Sequence, residues 1–112
     1  MSKVLWRFIE PYREFADTEE ALRKLLTLAI LAWDAALLPK EERPHMIDKV
    51  FQTLPPDEEL RIGLRGIVDE LIERKERYFS QYKRSIIDFE LQDRGRDYNL
   101  IVVSFLEDTS SR

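Results

Sequence analysis

The sequence predicts an α+β fold: three or four helices packed around one buried helix at about 18–38, followed by a C-terminal antiparallel β-hairpin at about 86–106. Three observations carry this. Residues 25–38 read LLTLAILAWDAALL, broken only by Thr27 and Asp34, and a helix apolar on all sides belongs inside other elements. From Ser85 onward the hydrophobic period is two rather than 3.6, with Ile87, Phe89 and Leu91 alternating with Asp88, Glu90 and Gln92. That switch happens once along the chain, which disfavours an alternating βαβ arrangement.

Composition bounds the rest. A chain of 112 residues, 44 % hydrophobic and 36 % charged, is expected to fold as a single domain over 1–112 with one core. Only three glycines argue against a phosphate-cradling loop, and the absence of cysteine excludes disulfides, thiolate zinc sites and cysteine nucleophiles. The net charge of −4 disfavours a general nucleic-acid binder. The excess sits at the C-terminal end, where residues 85–112 carry three basic against six acidic groups. The apolar stretch is too short for a membrane span of about 20 residues and contains a carboxylate, so no membrane partner is expected. The first fifteen residues hold a charge-broken apolar run without a small-residue cleavage site, and the expected location is the cytoplasm.

Taken in order, residues 3–15 (KVLWRFIEPYREF) are rich in large apolar groups, and Pro11 prevents one continuous helix. A helix is preferred there, with a short strand as the alternative. Asp17 and Glu20 make an acidic capping box for the central helix, which runs to Leu38 and stops at Pro39. Pro44 then suits a first helical turn, and Met46, Ile47, Val50, Phe51 and Leu54 form one helical face before Pro55 and Pro56. Asp57, Glu58 and Glu59 open a longer helix that reaches Tyr82, with its apolar face running from Leu60 through Val68, Leu71 and Ile72 to Tyr78 and Phe79. Within it, Gly63 and Gly66 predict a close approach to Trp33 or Leu37, and Glu70–Arg74 and Glu73–Arg77 predict a solvent side. Asp93 to Asp97 is a polar turn around Gly95, and YNLIVVSFL (98–106) is a strand rich in β-branched and aromatic residues. Residues 107–112 are expected to fray.

Few residues carry candidate chemistry. Asp34 lies in an apolar helix, so it must find a donor, cap another element or face an opening. A ligand site built on it would use Trp33 or an aromatic from 78–82, with an arginine or His45 opposite. His45 and Asp48 form H-x-x-D on a polar helix face, which supplies two metal ligands and no zinc signature; a solvated histidine explains it, and no metal or cofactor is expected. Asp88 and Glu90 share a strand face as some nuclease carboxylates do, but a solvated face accounts for them equally well. RKERYFSQYKR (74–84) interleaves cations with Tyr78, Phe79 and Tyr82 and would suit base stacking, although cations near a helix end and aromatics on its core face explain it too.

The surplus of apolar surface is the clearest functional signal. The second strand is apolar on both faces, and a two-stranded hairpin with an apolar outer face calls for a cover. The expected function is therefore a non-catalytic protein–protein interaction or assembly module, homo-oligomeric, with its interface on Tyr98, Leu100, Ile101, Val103 and Phe105. A small enzyme or ligand-binding protein using Asp34 is the alternative, and nucleic-acid binding through 74–84 a lesser one.

Overall fold

Thr18 opens the central helix. Its Oγ1 accepts a hydrogen bond from the Ala21 N–H at 3.1 Å, one residue later than the box led by Asp17 that the sequence suggests. A hydroxyl on extended backbone satisfies an orphan N–H as well as a carboxylate does. The computed structural model describes residues 2–53, 56–95 and 98–105, with the backbone alone for residues 104 and 105. Its elements are α1 (Ser2–Phe8), α2 (Glu10–Arg13), α3 (Glu19–Ala36), a 3-10 turn (Lys40–Glu42), α4 (Arg43–Phe51), α5 (Glu58–Tyr78), β1 (Ser85–Asp93) and β2 (Tyr98–Phe105). The class is α+β, as expected. Five α-helices occur among the described residues rather than three or four, because the N-terminal run breaks at Ile9 and restarts with Pro11 in the first turn of α2. Leu54, Pro55, Arg96, Asp97 and residues 106–112, expected in a helix end, a turn and a tail, lie outside the described residues.

α3 packs chiefly against α5 and then against β1 and α4. Leu26, Ala29, Ala32, Trp33 and Ala35 are fully buried along it, and each buried leucine contributes about 1.5–3 kcal/mol relative to exposure. The helix is not covered all round, since Thr27 is exposed and Ile30 and Asp34 are half-buried. It ends at Ala36, two residues before the expected Leu38. There Arg43 donates to the carbonyls of Ala36 and Leu38, both at 3.1 Å, and pairs with Glu76 at 2.8 Å. An arginine thus satisfies carbonyls that any helix end leaves without partners.

α5 opens as expected, with Asp57 accepting from the Leu60 N–H at 3.1 Å. Its apolar face holds only through the middle: Val68, Leu71 and Ile72 are buried, whereas Leu60, Ile62 and Tyr78 are exposed. Gly63 and Gly66 do not receive Trp33 or Leu37, for a Cβ at either position meets nothing within 4 Å. The helix stops at Tyr78 rather than Tyr82, as Phe79 leaves helical geometry. Glu73–Arg77 forms at 3.1 Å, but Glu70–Arg74 does not. Glu70 accepts from the Tyr12 hydroxyl instead. Arg74 turns inward and donates to the carbonyls of Phe8 and Arg7, both at 2.8 Å, so it ties the end of α1 to α5.

β1 and β2 form a two-stranded antiparallel sheet that pairs Leu91 with Leu100, Phe89 with Val102, Glu90 with Ile101 and Asp88 with Val103. A bulge between Ile86 and Asp88 shifts the phase of β1. Consequently Ile86 is buried at 2 % exposure and Ile87, which simple alternation places with Phe89 and Leu91, is 62 % exposed. No helix among the described residues is long and apolar enough to cross a membrane.

Candidate functional site

Two regions gather the residues with chemical potential. The first is a knot at the meeting of α1, α3, α5 and the start of β1. Trp33 is fully buried and donates its indole N–H to the Arg84 carbonyl at 2.7 Å. Phe8 meets Trp33 edge-on at 5.2 Å and Phe79 at 5.5 Å between ring centroids. Such edge-to-face pairs add about 0.5–1.5 kcal/mol beyond area burial.

Asp34, the next residue, accepts from the Ile86 N–H at 2.8 Å and so anchors the first turn of the hairpin onto α3. Burial pushes its carboxyl up to about 6, with the Ile86 hydrogen bond opposing. The donor is a backbone amide. Lys75 faces the neighbouring Trp33 ring, with Nζ 4.5 Å from the centroid.

Lys75 is the residue sequence reasoning missed. It is 3 % exposed and donates to the carbonyls of Phe79 at 2.9 Å and Tyr82 at 2.8 Å, which fastens the turn after α5. Burial pushes its ammonium down to about 8, Lys83 adds in the same direction and Glu76 opposes. Its position was readable: it lies three and four residues from Ile72, Leu71 and Phe79 on the apolar face. Among the described residues no buried side-chain nitrogen or oxygen lacks a hydrogen-bond partner, so the knot holds itself together.

His45 is exposed on α4 and makes no hydrogen bond or ion pair among the described residues. No three histidine or acidic side chains among the described residues come together as a metal site.

The second region is the hairpin. Tyr98, Leu100 and Val102 point to the core, with Leu100 at 3 % exposure. Of the residues expected at an interface, Tyr98 and Leu100 thus face inward. Ile101 and Val103 do, at 40 % and 49 % exposure, with Ile87 beside them on β1. The Phe105 side chain lies outside the described residues. Across the ladder, Glu90 stands opposite Ile101 and Asp88 opposite Val103, so the outer face is acidic along β1 and apolar along β2. Among the described residues β2 pairs with β1 alone.

No family model, curated protein or solved structure matches this chain. The functional reading therefore rests on the chain itself.

Proposed function

We propose that the chain is a non-catalytic interaction module that assembles with a second copy through β2. The observation that carries this is the outer face of the hairpin, where Ile87, Ile101 and Val103 are exposed together on a sheet of two strands. An uncharged edge strand presents unpaired backbone groups as a template for another strand, and YNLIVVSF contains no lysine, proline or carboxylate to blunt it. Charge selects the edge. Pairing β1 with its own copy would bring Asp88, Glu90 and Asp93 against like charges, whereas pairing β2 with its copy about a two-fold axis keeps them apart. Such pairing would join two hairpins into one four-stranded sheet and give Ile101 and Val103 cross-strand neighbours on its outer face.

Sedimentation equilibrium at micromolar protein tests the reading. Reversible self-association into dimers is expected. A species that stays strictly monomeric throughout the accessible concentration range would contradict it.

A further inference from the structure

Three shallow clefts lie in series between the N-terminal helices and the far end of α5 with the turn that follows it. The first, about 250 Å³, has Pro11 and Tyr12 on one side and Glu70, Glu73, Arg74, Arg77 and Tyr78 on the other. The second, about 340 Å³, shares Arg74 and Tyr78 with the first and adds Arg7, Gln81 and Tyr82. The third, about 330 Å³, shares Gln81 and Tyr82 with the second and adds Lys83 and Arg84. Their shared walls make one furrow.

In the first cleft Glu70 and Glu73 balance Arg74 and Arg77, but beyond it the charge runs against that of the chain. The second and third clefts hold Arg7, Arg74, Lys83 and Arg84 against one carboxylate, Glu10, in a protein of net charge −4. Arg74 is committed to the carbonyls of Phe8 and Arg7. The other three are not. The Lys83 and Arg84 side chains make no hydrogen bond or ion pair among the described residues, and Arg7 makes only a long contact to the Tyr82 hydroxyl at 3.5 Å. Between the first two clefts stands Tyr78, 59 % exposed, with the Arg74 guanidinium 5.6 Å from its ring centroid. A large exposed ring beside uncommitted cations is the pairing that single-stranded nucleic acids use: bases stack on the ring and phosphates meet the cations. An acidic peptide satisfies the cations but does not carry a planar ring beside every charge as a nucleotide does, and a paired base in a duplex does not offer its face.

We infer that this furrow binds a single strand of nucleic acid, with a base stacked on Tyr78 and phosphates held by Arg7, Lys83 and Arg84. No residue of the hairpin lines it, so this site and the β2 interface stand or fall separately.

Fluorescence anisotropy with a labelled oligouridine or oligothymidine of roughly twelve nucleotides tests this on the full chain. Three phosphate contacts predict that affinity falls about 20-fold between about 50 and about 200 mM KCl. Lys83→Gln with Arg84→Gln should leave one contact and reduce that fall to about threefold. Tyr78→Ala should weaken binding about fivefold or more without changing the salt dependence, and Tyr78→Phe should restore it. Absence of binding at about 50 mM KCl and about 100 μM protein overturns the inference. So does binding that ignores Tyr78→Ala, or that heparin and duplex DNA reproduce equally, because either outcome means attraction to any polyanion.

Discussion

Asp34→Asn should stabilise this protein at neutral pH, even though it alters a half-buried residue in the central helix. Asparagine keeps the oxygen that accepts the Ile86 N–H at 2.8 Å and removes a charge whose burial raises the carboxyl from 3.8 to about 6. At 1.36 kcal/mol per pKa unit the ionised form carries a penalty of at most ~3 kcal/mol, and a gain of about 1–3 kcal/mol is expected at pH 7. The pH dependence follows from linkage. A carboxyl whose folded pKa is raised gives its full contribution below about 3.8 and loses it as pH rises through about 6. The advantage of asparagine should therefore shrink below about 1 kcal/mol near pH 4, where the wild-type group is itself neutral in the fold. Urea unfolding followed by tryptophan fluorescence at the two pH values measures the difference. Asp34→Ala serves as the control. It abandons the buried amide and should fall about 1–3 kcal/mol below Asp34→Asn at both pH values. If Asp34→Asn lowers stability at pH 7 by 1 kcal/mol or more, the carboxylate charge is used by the molecule and the anchoring role assigned to it is wrong.

Lys75→Met leaves the Tyr82 carbonyl without its donor, while the Phe79 carbonyl keeps the Tyr82 N–H at 3.1 Å, and should cost about 1–3 kcal/mol in urea unfolding, the penalty of one buried group left unsatisfied. Because the folded pKa of Lys75 lies below its ordinary value, stability in the wild type should rise between about pH 8 and 10.5, and this rise should vanish in Lys75→Met. Gly63→Ala and Gly66→Ala place a methyl group in open space on α5 and should each add about 0.5–1 kcal/mol, read as a higher urea midpoint. Loss of stability in either would show that a neighbour occupies that space. Arg74→Ala unties α1 from α5 and should cost about 1.5–3 kcal/mol, together with faster amide exchange in residues 2–8.

Much of the architecture was legible because its signals are long. Fourteen residues of nearly unbroken apolar chain at 25–38 admit only a buried helix, and the change of period at residue 85 marks the hairpin. Details that depend on a single contact were not legible. The residue capping α3 turned on whether Asp17 reached the Glu20 N–H or Thr18 that of Ala21, and either side chain is a competent cap. The bulge after Ile86 reverses which isoleucine is buried, and a period-two pattern carries no mark of the added residue.

The candidate sites divide in the same way. That Asp34 needed a donor was plain from its surroundings in sequence, but the donor is a backbone amide on a distant strand, and every residue has one. That β2 is apolar on both faces was plain too. Which face turns inward was fixed only by the ladder, which sends Leu100 to the core and leaves Ile101 and Val103 outside. Arg74 belongs to an i,i+4 pair that predicts a solvent side and Lys75 to a run of cations near a helix end, although long basic side chains readily reach buried carbonyls.

The claim that β2 is an interface meets its most direct test in Val103→Lys, followed by sedimentation equilibrium and urea unfolding of the same sample. Val103 is 49 % exposed on the outer face, so a lysine there should change the stability of the isolated chain by no more than about 0.5 kcal/mol. At a two-fold β2 contact the same lysine would bring a charge into the seam and desolvate its ammonium, raising the dimer dissociation constant by a factor on the order of 10 or more. The account predicts a folded monomer at concentrations where the wild type is dimeric. Unchanged assembly in Val103→Lys, or an unfolded chain with no effect on the assembly of the folded remainder, would contradict it.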